Sequence, residues 1–258
     1  MTITVVQARQ RKIVLSVCLI SALCYVAMQI TDFDLLEAIV AFPKAILWML
    51  TNFYPTQEAL SNLPSILINL KETLLLAIAT TVTAGLSALA FALVDTRNSI
   101  RLKWFMKFIA SFFRNIPDIV WAIVLLLSFG QNILAGFFSL FFATFGFLIR
   151  AFSESIAECS HSSIEALEAS GASYWQVVFQ AIIPSCITQI ITWILYMIET
   201  NIRSSTLVGI LTGTGIGNLF NLYYKSFEYD SAGLLVITLI IIVLSLEFIS
   251  NHIRRAIL

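Results

Sequence analysis

The chain has 258 residues, of which 59% are apolar and only 12% charged, with a mean hydropathy of +0.91. Soluble domains run nearer about half apolar and about a quarter charged, so this composition belongs to an integral membrane protein. Its 15 basic and 15 acidic side chains cancel, so no charge surplus points to nucleic acid as a partner. The four cysteines (Cys18, Cys24, Cys159, Cys186) are scattered and the two histidines (His161, His252) stand far apart, which leaves no disulfide framework or metal-ligand spacing to read.

A transmembrane helix needs roughly 20 apolar residues to cross about 30 Å of hydrocarbon. Six segments meet or approach this: 13–30, 66–94, 116–130, 133–150, 185–208 and 232–250. The first follows Arg9, Arg11 and Lys12 and is too long for a signal-peptide core; Thr31-Asp32-Phe33-Asp34 after it offers no small-residue cleavage site. Leu35 to Tyr54 reads as an amphipathic helix containing Pro43, expected on the surface rather than across the membrane. The third span is short, and Trp104 to Phe113 before it is apolar enough to extend it or to lie along the interface. Only Gly130-Gln131-Asn132 joins the third and fourth spans, which predicts a tight helical hairpin. The expected fold is therefore all-α with six transmembrane helices: residues 1–65 form an N-terminal span with an extracytoplasmic segment, and residues 66–258 the core.

Lysine and arginine placement orients such a chain, because cytoplasmic loops retain positive charge. With the N-terminus inside, Arg9, Arg11, Lys12, Arg97, Arg101, Lys103, Lys107, Arg114, Arg150, Arg254 and Arg255 fall on the inner side. Lys44, Lys71 and Lys225 fall outside, and Arg203 lies within a span. Both termini are expected in the cytoplasm, and the lipid bilayer is itself a partner.

Residues 151–184, between the fourth and fifth spans, carry unusual polar density. Ser163 could cap a helix whose first turns hold glutamates, Gly171 breaks it, and a second amphipathic run ends at Ile183-Pro184. Glu165-Ala166-Leu167, Gly171-Ala172-Ser173, Trp175-Gln176-Val177, Phe179 and Ile182-Ile183-Pro184 resemble the EAA loop of ABC importer permeases. Leu167 stands where that loop has its second alanine, and Ile183 where it has a leucine before proline. The resemblance implies a coupling helix that docks into a cleft on a separate ATPase through Glu165, Ala166, Leu167, Gly171, Ala172 and Ser173.

The fifth span contains Glu199-Thr200-Asn201-Ile202-Arg203-Ser204-Ser205-Thr206. Ionisable groups at membrane depth are functional suspects. Glu199 and Arg203 share a helix face and can also simply neutralise each other, so both readings stand. Four glycines (209, 213, 215 and 217) follow, too many for a stable helix interior. Such backbone either lines a water-filled cavity, where free N–H groups could face an anion, or forms a tight packing seam.

The run from Glu199 through Gly217 is similar to the corresponding stretch of phosphonate-type ABC importer permeases, as is the tail from Leu246 to Arg255; the resemblance covers roughly residues 66–258. It implies a type I (MetI-like) permease in a bacterial inner membrane. Glu199, Asn201, Arg203, Ser204, Ser205, Thr206, Thr212, Gly213 and Gly215 would lie along the translocation path or its gate, with Arg203 touching an oxyanion. It further implies a second copy of this chain, two ATPase subunits carrying ATP and Mg, and an extracytoplasmic substrate-binding protein. The chain itself has no G-x-x-x-x-G-K-[ST] and is expected to bind no cofactor and catalyse nothing. An ion-gradient-driven anion transporter is the alternative, though only the region after the fifth span is broken, where such folds pair broken helices across two halves.

Overall fold

The computed structural model describes residues 2–96 and 100–257, and all its regular elements are helical. Arg97, counted above among the inner-side charges, lies outside the described residues. The chain forms two compact units, Met1–Asn52 and Phe53–Leu258.

The first unit holds α1 (Thr2–Ile30) and α2 (Leu35–Asn52). Asp34 starts α2 by accepting the amides of Leu36 (2.8 Å) and Glu37 (3.2 Å) at Oδ1, satisfying two of the donors a helix start leaves open. Described side chains of both helices are almost all exposed, as expected of helices that face lipid. By length and composition α2 could itself cross a membrane, which differs from the expected surface helix. Its only charges are Glu37 and Lys44, and the helix continues through Pro43.

In the second unit, a 3₁₀ turn (Ala59–Asn62) leads into α3 (Leu63–Asp95), followed by α4 (Ile100–Asn115), α5 (Asp118–Phe129) and α6 (Ile133–Ala169). A one-turn α7 (Tyr174–Val177), a π-helical turn (Val178–Ile182) and α8 (Ile183–Thr212) run on without a break, then α9 (Gly215–Lys225) and α10 (Tyr229–Ile257). Residues 53–65 pack here rather than with the N-terminal span. Phe53 stacks on Tyr229 (5.7 Å), Asn62 Nδ2 donates to Ser231 Oγ (3.0 Å), and Thr56 Oγ1 donates to Asp230 Oδ2 (2.5 Å).

Five of the six expected spans coincide with long helices, and the third does not. It is a pair, α4 and α5, bent by 85°. Pro117 sits at the elbow with φ −57° and ψ 147°, an extended conformation that ends α4, and its carbonyl accepts the amides of Val120 and Trp121 to start α5. Gly146 on α6 lets the end of α4 lie against it: a Cβ there would be 2.5 Å from the Arg114 amide nitrogen. Phe113, Trp121 and Phe142 then fill the elbow, with ring centroids 4.8 to 5.7 Å apart.

Apolar burial alone holds membrane helices together weakly, since lipid is as apolar as leucine, so close packing of small residues carries more of the work. Ala84, Ala88 and Ala92 form such a stripe on α3, buried with Leu148, Phe152 and Ile156 of α6, Ile182 of the π-helical turn, and Cys186 and Ile190 at the start of α8. The helix passes Pro184 because the turn before it has widened to π geometry, which accommodates the missing N–H and the ring. This replaces the expected separate helix and proline-marked span entrance by one continuous rod.

Candidate functional site

Two regions collect the residues singled out by sequence. The first is the turn between α6 and α7. Helix α6 continues to Ala169 with no new start at Ser163, so Glu165, Ala166 and Leu167 ride on its last turns. Gly171 takes φ +80° and reverses the chain in open space, and Ser173 begins α7 with its N–H and hydroxyl both donating to Gln176 Oε1 (2.7 and 2.9 Å). Glu165, Ala166, Gly171 and Ser173 are exposed, whereas Leu167, Ala172 and Tyr174 pack partly against the core. Tyr174 Oη donates to the Leu93 carbonyl at 2.6 Å, tying the turn to the end of α3. Trp175 and Phe179 stack on each other (6.2 Å) yet remain 60% and 64% exposed. The result is a braced turn with small, polar and aromatic groups facing outward.

The second region is the α8 run, which separates by face. Asn201 is buried, donating through Nδ2 to Thr81 Oγ1 and Thr144 Oγ1 (both 2.8 Å) and so clasping α3 and α6 to α8. Ser205 and Thr212 are also buried and donate to the carbonyls of Ile202 and Val208. On the open side, Arg203 Nη2 donates to Glu199 Oε1 at 2.7 Å, with the arginine 53% and the glutamate 14% exposed. Ser204 and Thr206 are half-buried beside them. The expected row of path residues therefore includes three whose side chains point into the bundle, because a helix cannot turn eight consecutive residues to one side.

The glycine-rich stretch is narrower than expected. Helix α8 runs through Gly209 to Thr212, Gly213 adopts the left-handed conformation (φ 71°, ψ 32°), and α9 starts at Gly215. The amides of Gly213 and Thr214 donate to the Gly209 carbonyl, that of Asn218 to Thr214, and that of Ile216 to Thr73 Oγ1 at 2.8 Å. These four amides are committed inside the protein and so are not the free N–H groups that could face an anion. Gly209 and Gly217 meet back to back: a Cβ on Gly217 would collide with the Thr206 carbonyl, and one on Gly209 with that of Thr214. Gly215 is as tightly held against Thr73.

Sequence reading missed Thr81, Thr144 and Thr73, the distant partners of these groups, and Arg254. The last was placed as a cytoplasmic flank; its Nη2 lies 4.0 Å from Glu199 Oε2. Among the described residues no cluster of His, Cys, Asp and Glu could hold a metal.

A bundle of long apolar helices, with a braced turn at the α6–α7 corner and ion-paired groups on a bundle helix, has the architecture of a multi-pass membrane permease. Residues 81–257 match the binding-protein-dependent transport system inner membrane component family, and the chain belongs to that family. Among its relatives, PhnE of Mycolicibacterium smegmatis, a phosphate-import permease protein, is 29% identical over 141 residues. The match covers 55% of this chain and 26% of PhnE, so the chain spans about a quarter of that relative. HtxC of Stutzerimonas stutzeri, provisionally named a phosphite transport system permease protein, is 27% identical over 256 residues, 98% of this chain and 89% of its own. Inward-facing structures of the MetNI methionine ABC transporter share the fold (TM-score 0.66, 20% identity, 75% of this chain and 96% of that one). So does a bacterial ABC transporter involved in alginate import (TM-score 0.66, 16% identity, 86% and 93%).

Proposed function

We propose that this permease passes a small phosphorus oxyanion, a phosphonate or phosphite, from an extracytoplasmic binding protein into a bacterial cytoplasm. It works as a pair of copies on two ATPase subunits, which bind ATP and Mg while this chain does no chemistry of its own. The observation that carries the reading is the similarity to HtxC, which runs through the coupling turn, the α8 charge pair and the glycine break alike. Glu165 to Ser173, with exposed Trp175 and Phe179, offer the surface for the ATPase. Glu199, Arg203, Ser204 and Thr206 offer the open face of α8 to the solute, and Asn201, Ser205 and Thr212 hold that face in place from behind. Gly213 and Gly215 make the outer turn. ATP-driven closure of the ATPases would push the coupling turns and bias the bundle between two states.

The orientation follows from positive charge. If α2 crossed as α1 does, either Arg9, Arg11 and Lys12 or the basic run Arg101 to Arg114 would lie outside. Both termini are therefore assigned to the cytoplasm, with the α4–α5 pair counted as one span and α2 on the outer surface.

The test is reconstitution with the neighbouring ATPase and binding protein, measuring ATP turnover with phosphite, methylphosphonate and phosphate. Stimulation by a phosphorus oxyanion that depends on the binding protein, and falls with Arg203→Ala in an intact complex, is the expected result. No response to any of the three would overturn the substrate class, and failure of any ATPase to co-purify would overturn the coupling surface.

A further inference from the structure

Helix α10 carries a donor-rich spot near its C-terminal end. Thr238 and Ser245 on this helix hydrogen-bond back to carbonyls one turn earlier, as hydroxyls in apolar helices do. Ser250 does not: it is 7% exposed and its Oγ is buried with no hydrogen-bond partner among the described residues. One turn further on the same face, Arg254 is 23% exposed, and its Nε and Nη2 are buried and equally without hydrogen-bond partners among the described residues. Its nearest carboxylate, Glu199, is too far for a hydrogen bond at 4.0 Å and is already engaged at 2.7 Å by Arg203. Two guanidinium groups thus share one carboxylate, and the surplus charge sits on the arginine with unsatisfied donors.

A buried guanidinium with two unsatisfied donors is costly and calls for an acceptor. Water could accept a hydrogen bond but would leave the charge. A tetrahedral oxyanion can accept the Nε and Nη2 pair on two oxygens while a third takes the Ser250 hydroxyl. We propose that Ser250 and Arg254, beside Arg203, form a transient binding station for a phosphorus oxyanion, with Glu199 as the internal competitor that displaces it. A carboxylate 4.0 Å away needs only a small rotation to reclaim Arg254, which keeps residence short, as conduction requires. As a stage of import this rests on the reading above; as a binding site it stands on the side chains alone. A lipid phosphate has the same chemistry as the free anion, so the test separates the two.

The full chain in maltoside micelles is titrated with phosphite and with methylphosphonate, followed by broadening of the ligand's phosphorus NMR line, with sulfate-matched salt as control. Wild type should broaden the line. Arg254→Gln should weaken binding by about tenfold or more and Ser250→Ala by less, since charged hydrogen bonds contribute more than neutral ones. Arg254→Lys should fall between, keeping charge without the fork. Glu199→Gln should strengthen binding, and opposite signs from Arg254→Gln and Glu199→Gln cannot both come from misfolding. Added phosphatidylglycerol that abolishes the phosphite signal assigns the station to a headgroup; no competition assigns it to the free anion. Absence of binding, or binding unchanged by Arg254→Gln and Ser250→Ala, overturns the station. If those variants also leave phosphite-stimulated ATP turnover of the whole complex intact, import stands without it. If the micellar chain binds phosphite through Arg254 while no oxyanion stimulates the complex, import falls and the station stands.

Discussion

Gly171 and Gly213 both break a helix with a left-handed residue, and their surroundings are opposite. A Cβ on Gly171 would meet nothing within 4 Å. Around Gly213, the flanking glycines 209, 215 and 217 are pressed onto backbone or onto Thr73, and the amides of Gly213, Thr214 and Ile216 are bonded within the protein. One break leaves its surface open and is braced from behind by Tyr174; the other fuses α8, α9 and α3 into a single block. The same residue type thus serves reversal in one place and close approach in the other, and only at the second would an added methyl group meet other atoms.

The sharpest way to break that comparison is to add the methyl. Gly217→Ala drives a Cβ into the Thr206 carbonyl, where both partners are backbone and cannot rotate away. It should destabilise the bundle by about 3 kcal/mol, at the upper end of overpacking costs. Gly171→Ala should cost only about 1 kcal/mol, the strain of a side chain at positive φ. Thermal unfolding of the purified chain in micelles separates the two; equal losses would mean that the packing at Gly217 relaxes freely.

Next in size is the polar clasp. Asn201→Leu leaves Thr81 and Thr144 buried without their amide donor, although Thr81 keeps its bond to the Ala77 carbonyl. A loss of about 2 kcal/mol is expected, near the upper range for interhelical hydrogen bonds in membranes. Arg203→Leu, on the same helix but half-exposed, should leave stability nearly unchanged. If Asn201→Leu proves neutral, the clasp is not what joins the three helices. Smaller again is Thr73→Val, which removes the acceptor of the Ile216 amide at nearly constant volume and should cost about 1 kcal/mol.

These ranks show where the sequence was readable. Hydropathy located five spans because each is a local run, and Gly171 and Gly213 were readable as breaks because a helix tolerates glycine poorly. Asn201 reads as a path residue only through the resemblance of the run from Glu199 to Gly217 to phosphonate-type permeases. Its partners lie 120 and 57 residues away, and no local pattern announces them. The short third span and the apolar stretch from Trp104 to Phe113 before it were visible in the sequence, but the 85° elbow between α4 and α5 involves Gly146 and aromatic rings on α6, a tertiary matter. By the charge rule alone Arg254 reads as a flank at a helix end, since only folding brings it beside Glu199. Hydropathy does not decide the role of α2, which is apolar enough to cross; the distribution of basic residues does.

The smallest expected change in stability tests the open break. Trp175→Ala removes one ring of an exposed stack and leaves Phe179 as it is, so the chain should lose no more than about 0.5 kcal/mol. Large aromatic side chains left in solvent on a braced turn suit a partner's pocket better than they suit water, and residues of this kind tend to dominate binding energy. If the turn meets the ATPase, the same variant should reduce ATPase co-purification by about tenfold or more, a loss out of proportion to its effect on folding. Tyr174→Phe supplies the control, since it removes the hydroxyl that bonds the Leu93 carbonyl while leaving the outward face untouched. It should loosen the turn without deleting a contact, so co-purification should fall less than with Trp175→Ala. Equal losses from the two would place the determinant in the turn's bracing and not in its exposed rings.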